Sequence, residues 1–143
     1  MTPADTDWID GIARDAQTLS ERSNRFVHGD CKLDNMTVAG DGWRVGGIFD
    51  FHTARFGDGA FDLVHQTCAY LDTEPSLARV FIDAYRREVQ DDAGLAAWMP
   101  LYVVKNRVGL WHYFVRADRP TWTRGKTFRD WAEPYVAQML QLL

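Results

Sequence analysis

The stretch Phe26–Asp62, FVHGDCKLDNMTVAGDGWRVGGIFDFHTARFGDGAFD, constrains this chain more than any other. It carries two polar clusters, His28-Gly29-Asp30 with Asn35 and then Asp50-Phe51, on either side of a short hairpin that turns at Gly40-Asp41-Gly42. Phe26-Val27 leads into the polar loop Asp30–Asn35, and Met36-Thr37-Val38 leaves it in β-forming residues. The glycine turn then reverses the chain into Trp43–Phe51, where Val45, Ile48 and Phe49 are expected to pack inward or across the strands. Asp30 and Asn35 therefore belong to a loop, and Asp50 is expected to end a strand. A hairpin this short can return Asp50 to the side of Asn35 by chain reach alone.

The rest of the chain reads as helices. Trp8, Ile9, Ile12, Ala16 and Leu19 recur at helical spacing behind the start signal Thr2-Pro3-Ala4-Asp5, which gives a packing helix over Asp5–Ser23. Phe56–Asp62 reads as a glycine-articulated turn into a helix from about Asp62, with Leu63, Val64, Thr67, Cys68 and Leu71 on its apolar face and with Asp58 and Asp62 as turn or cap residues. Further helices fit Pro75–Val89, Gly94–Ala117, which Pro100 starts or kinks, and Phe128–Leu143, with a loop over Asp118–Gly125. The expected class is α+β and mostly helical. It forms one domain over 1–143, with a chemical segment at 26–63 and a helical region at 63–143.

Composition narrows the partners. A 46% apolar fraction suits a packed core, and a net charge of −4 with no basic stripe speaks against nucleic acid. Cys31 and Cys68 lack CxxC spacing, and no paired histidines accompany them, so they read as thiols of a reducing compartment, with the cytoplasm the expected location. No uncharged run approaches the ~20 residues of a membrane span, and none resembles a signal peptide.

The polar residues themselves suggest phosphoryl transfer. Asp30, flanked by Gly29 on an exposed loop, is placed to accept a proton from an attacking hydroxyl. Lys32 can reach the phosphoryl group and offset its developing charge. Asn35 and Asp50 offer hard oxygen ligands suited to Mg²⁺ bound with ATP. His28 as a metal ligand is set against His28 as a hydrogen-bonding support of the loop, and the absence of a second histidine at ligand spacing favours support. No G-x-S-x-G elbow is present for a serine nucleophile.

Taken together, HGDCKLDN and IFDFHTARFGDGAFDL resemble the catalytic and metal-binding segments of the aminoglycoside phosphotransferase and choline kinase-like family, whose pattern runs H-G-D-x4-N and then D-F-x2-A-x2-G-D-x3-D-L. The match falls on His28, Gly29, Asp30, Asn35, Asp50, Phe51, Ala54, Gly57, Asp58, Asp62 and Leu63. Lys32 is similar to the lysine of the protein-kinase H-R-D-x-K, His52 replaces the glycine of D-F-G, and Gly59 stands where many relatives have proline. The resemblance implies that Asp30 is the catalytic carboxylate, that Asn35 and Asp50 bind magnesium, and that the later helices face the acceptor in a kinase-like C-terminal lobe.

Such a family member also has a strand-rich N-terminal lobe with a phosphate-covering loop and a clamping lysine. Here about 25 residues precede His28 and read as one helix, so the resemblance is to the C-terminal lobe alone. The expected activity is ATP- and Mg²⁺-dependent transfer to a hydroxyl of a small molecule, aminoglycoside-like or other, incomplete without an N-terminal lobe. A homo-oligomer or a partner covering the surface of the absent lobe is a further expectation. A cationic acceptor would find Asp72 and Glu74 together with Trp111, Tyr113 and Trp122. The competing readings are a non-catalytic pseudo-kinase scaffold and a truncated remnant.

Overall fold

The computed structural model describes residues 1–19, 24–40, 44–89, 92–117 and 125–143. Helix α1 runs Pro3–Gln17. It starts at a capping box in which the Asp5 amide donates to Thr2 Oγ1 and the Thr2 amide donates to Asp5 Oδ2. The sequence placed its end at Ser23. It stops sooner because the Thr18 hydroxyl donates to the Asp15 carbonyl at 2.7 Å and takes up an acceptor at the end of the helix. Residues 20–23 lie outside the described set.

Two small antiparallel sheets follow. Strand β2 (Met36–Ala39) pairs with β3 (Arg44–Ile48), the expected hairpin, and Gly40 takes a φ of 38° at its turn. Asp41, Gly42 and Trp43 lie outside the described residues. Val38 opposes Val45 and Met36 opposes Ile48, so cross-strand packing is present. The inward alternative is not: Val45, Ile48 and Phe49 are exposed, and Val38 with them. Strand β3 also ends at Ile48, before Asp50. The sequence did not anticipate the second sheet, β1 (Asn24–Val27) against β4 (Arg55–Asp58). Its outer face forms a ridge in which Phe26 contacts Phe51 and Phe56 at ring-centre distances of 6.0 and 6.2 Å, with Phe56 74% exposed.

Helices α2 (Phe61–Thr73), α3 (Pro75–Glu88), α4 (Asp92–Arg116) and α5 (Phe128–Leu142) complete the described elements. The α4 helix begins ahead of Pro100 and runs through it. Of the expected 118–125 loop only Gly125, with a φ of 74°, lies within the described residues. The 25-residue α4 joins two apolar clusters. On one side Leu95, Met99 and Val103 meet Leu63, Val64 and Cys68 of α2, Ile82 of α3 and Met139 of α5. On the other, Val104 meets Phe128 and Trp131, with Trp8, Ile9 and Ile12 of α1 packed against them. Arg79 and Arg86 of α3 donate to the last carbonyls of the chain, at Gln141, Leu142 and Leu143. No helix among the described residues is long and apolar enough to cross a membrane.

Asp5 ties the ends of the chain together. It is 1% exposed, and its Oδ1 accepts from the Arg129 amide at 2.9 Å, bracing the first turn of α5. Burial pushes its carboxyl up, but hydrogen bonds from Thr2 and Arg129 outweigh this and hold it below the usual carboxylate range. Ionised Asp5 therefore stabilises the fold above its unfolded-state pKa, and the contribution is lost as pH falls through the folded value. Asp5→Ala is expected to lower unfolding free energy by about 2–3 kcal/mol in denaturant titrations and to flatten the acid side of the stability profile. An unchanged midpoint would contradict the bracing role.

Candidate functional site

The site is built where the chain between β1 and β2 is held by the first turns of α2. Asp62 uses both carboxylate oxygens on consecutive amides: the His28 amide donates to Oδ2 and the Gly29 amide to Oδ1, each at 2.7 Å. The Leu33 amide donates to Gln66 Oε1 at 2.8 Å. His65 Nδ1 lies 3.1 Å from Asp30 Oδ1. Residues 62, 65 and 66 share one helical face, so α2 grips the loop at three points. Asp62 thus serves the loop and not its own helix, whose N-cap residue is Ala60. Asp58 braces the turn before α2, accepting from the Ala60 amide at 2.9 Å and from the Tyr102 hydroxyl at 2.7 Å.

His28 lies buried beneath the loop. The Asp30 amide donates to its Nδ1, so the ring proton sits on Nε2, which donates to the Phe49 carbonyl at 2.9 Å. The imidazole therefore links the Asp30 turn to the backbone just before Asp50. Gly29 has a φ of 84°, and a Cβ built there would lie 2.7 Å from the Thr53 carbonyl oxygen, which leaves no room for any side chain.

Asp30 is surrounded by donors. Lys32 Nζ lies 2.8 Å from Oδ2, and Asn35 Nδ2 donates to Oδ2 at 3.0 Å and to the Asp30 carbonyl at 2.9 Å. Burial pushes the Asp30 carboxyl up, but hydrogen bonds from Lys32 and Asn35, with the charges of Lys32 and His65, overcome it and hold the group below its ordinary range. Burial holds His65 below its ordinary range against the opposing charge of Asp30. The neighbouring Cys31 thiol is raised by burial and by the carboxylates of Asp62 and Asp30, which suppresses thiolate chemistry in the loop. Burial raises the Cys68 thiol to about 11.

With its amide nitrogen committed to Asp30, buried Asn35 keeps Oδ1 clear, and among the described residues that oxygen receives no hydrogen bond. The Phe49 amide donates to the Asn35 carbonyl at 3.0 Å, which joins the two polar clusters through the backbone. Asp50 lies one residue beyond, in the left-handed region at φ 69° and ψ 57°. Asp tolerates that region better than most residues, and such a conformation persists only where its surroundings impose it. Asp50 Oδ1 is 2.6 Å from His52 Nδ1, and Oδ2 accepts no hydrogen bond among the described residues.

The sequence readings for a cationic acceptor fare differently. Asp72 accepts from the Tyr135 hydroxyl at 2.6 Å, Glu74 accepts from the Ser76 hydroxyl, and Trp111 packs against Phe128 and Trp131. Tyr113 is exposed, and Trp122 lies outside the described residues. None of the four described residues has a hydrogen bond or ring contact with the loop among the described residues. Sequence reasoning also missed His65 and Gln66, although their spacing from Asp62 on α2 offered the signal.

Asp62→Ala is expected to release both loop amides at a cost of about 3 kcal/mol, with faster hydrogen exchange at His28 and Gly29 than in α5. Uniform exchange across the chain would contradict local support by Asp62.

No curated protein and no solved structure matches the chain. A family model described as the phosphotransferase enzyme family matches residues 4–101, more than half of the chain, from α1 through the loop, both sheets and α2 into α4. The His28–Leu63 pattern and this match agree, and the chain belongs to the phosphotransferase enzyme family.

Proposed function

We propose that this chain carries the catalytic loop and metal ligands of an ATP- and Mg²⁺-dependent phosphotransferase that phosphorylates a hydroxyl of a small molecule, on a kinase-like C-terminal lobe. One observation carries the reading. A single side chain, Asn35, organises Asp30 through its nitrogen while its buried oxygen receives no hydrogen bond among the described residues, and it is backbone-bonded to the residue beside Asp50.

The donor set fits a hard divalent cation: the amide oxygen of Asn35 and the carboxylate oxygen of Asp50 that accepts no hydrogen bond among the described residues. Among the described residues no three His, Cys, Asp or Glu side chains converge as ligands, so water and phosphate oxygens would fill the other positions, as suits magnesium. When bound with ATP, the ion neutralises phosphate charge and holds the γ-phosphoryl group for in-line attack.

Asp30 orients the acceptor hydroxyl and takes its proton as the oxygen bonds to phosphorus and the bond to the β-phosphate oxygen breaks. A carboxylate held ionised is a weak base but a strong acceptor, which suits a loose transition state in which positioning outweighs proton abstraction. Lys32 spans from Asp30 towards the transferring group and offsets its charge. His28 and Asp62 act through the loop as positioning residues.

The rival reading, a non-catalytic scaffold, has the exposed Phe26, Phe51 and Phe56 ridge in its favour. A titration with Mg·ATP separates the two. Saturating Mg·ATP at about 100 times Kd is expected to stabilise the native chain by about 2.7 kcal/mol, with the gain largely absent in Asp50→Ala. No stabilisation of either protein would overturn the enzymatic reading. Asp30→Asn is expected to keep the stabilisation and to lower transfer about 10²–10⁴-fold, measured as nucleotide-dependent phosphorylation across a panel of hydroxyl compounds. Equal loss of binding and transfer would contradict its catalytic role.

A further inference from the structure

The start of β4 and the middle of α4 bring two cations to one aromatic ring. The Arg55 guanidinium carbon lies 4.6 Å from the centre of the Phe61 ring, and the Lys105 ammonium lies 4.9 Å from the same centre. A cation at an aromatic ring gains about 0.5–2 kcal/mol, depending on how far the pair is removed from water, while two cations sharing one ring repel each other. Among the described residues, neither Arg55 nor Lys105 forms an ion pair with a carboxylate. Burial, followed by the charge of Arg55, holds the Lys105 ammonium below its ordinary range. In a chain of net charge −4 this is a local cationic excess with no carboxylate partner among the described residues.

Its position is beside the loop. Arg55 Nη1 donates to the Thr53 carbonyl at 3.2 Å, and Thr53 Oγ1 donates to the His28 carbonyl at 3.0 Å. Arg55 Nη1 comes so near Gly29 that a Cβ built there would lie 2.8 Å from it. Gly29 immediately precedes Asp30, and Phe61 opens the helix that grips the loop. Asp72, by contrast, lies about 15 Å along α2 from Asp62 at the ordinary helical rise and is engaged by Tyr135.

We propose that Arg55 and Lys105 form a subsite for an anionic substituent, a phosphate or carboxylate, of the hydroxyl acceptor, so that the chain phosphorylates an acid and not a polycation. This rests on the phosphotransferase reading. Guanidinium and ammonium groups with their remaining donors open bind such oxygens by charge-assisted hydrogen bonds, and a bound anion relieves their mutual repulsion. The phosphates of the nucleotide offer the same chemistry, so the test separates the two sources.

The full chain is titrated with glycerol 3-phosphate, with glycerol and choline as neutral and cationic controls, at constant ionic strength and without nucleotide, while the Phe61 ring signals are followed by NMR. Saturable shifts are expected with glycerol 3-phosphate alone. They should weaken at least tenfold in the double variant Arg55→Gln/Lys105→Gln, with a smaller loss in each single variant should the double variant fold poorly. Asp50→Ala should leave this binding intact, and the double variant should keep its stabilisation by Mg·ATP, so failure of the metal reading and failure of the anion reading are scored apart. Absence of saturable shifts at Phe61, or equal shifts in the variants, would overturn the subsite. Loss of Mg·ATP stabilisation in the double variant would assign the cations to the nucleotide and overturn the acceptor assignment.

Discussion

The carboxylate of Asp62 holds two consecutive backbone amides, and the geometry of the site depends on that grip. Loop amides between β1 and β2 have no strand partner of their own, and a buried amide left unpaired costs about 1–3 kcal/mol. Asp62 satisfies those of His28 and Gly29 from a helix whose opposite face is locked into the core by Leu63, Val64 and Cys68. The polar loop thus inherits the rigidity of an apolar cluster. Once Gly29 is seated, with no space for a side chain, the Asp30 carboxylate is placed among Lys32, Asn35 and His65.

A second connection runs sideways. His28 and Asn35 each bond the backbone at Phe49, one through its ring and one through its carbonyl, so the residue before Asp50 is fixed from two directions. That over-determination accounts for a non-glycine residue persisting in the left-handed region. The consequence is a loop and a hairpin that act as one unit, with Asp30 on one end and Asp50 on the other.

Much of this was legible in the residues. The order of the polar clusters, the hairpin between them and the extents of α3 and α5 follow from spacing, glycine placement and apolar periodicity. The β1–β4 pairing was not legible, because Asn24–Val27 and Arg55–Asp58 lack the alternation that marks a strand. The exposure of the hairpin was hidden for a different reason: alternation predicts which residues share a face and not whether anything covers that face. Asp5 read as part of a helix start signal, and only the packing of α1 on α5 shows its bond to Arg129, which lies 124 positions away in sequence. The two cations at Phe61 come from segments fifty residues apart, so no local pattern could reveal them.

The central claim is that Asn35 and Asp50 are joined into one cation-binding pair by the loop and its helix. Replacing magnesium with Mn²⁺ in the presence of a non-hydrolysable ATP analogue gives a direct reading, because the paramagnetic ion broadens NMR signals steeply with proximity. The account predicts the strongest broadening at Asn35 and at Phe49–Asp50, with Asp30 next and α3 untouched. Broadening centred elsewhere on the chain, or none at saturating nucleotide, would contradict it.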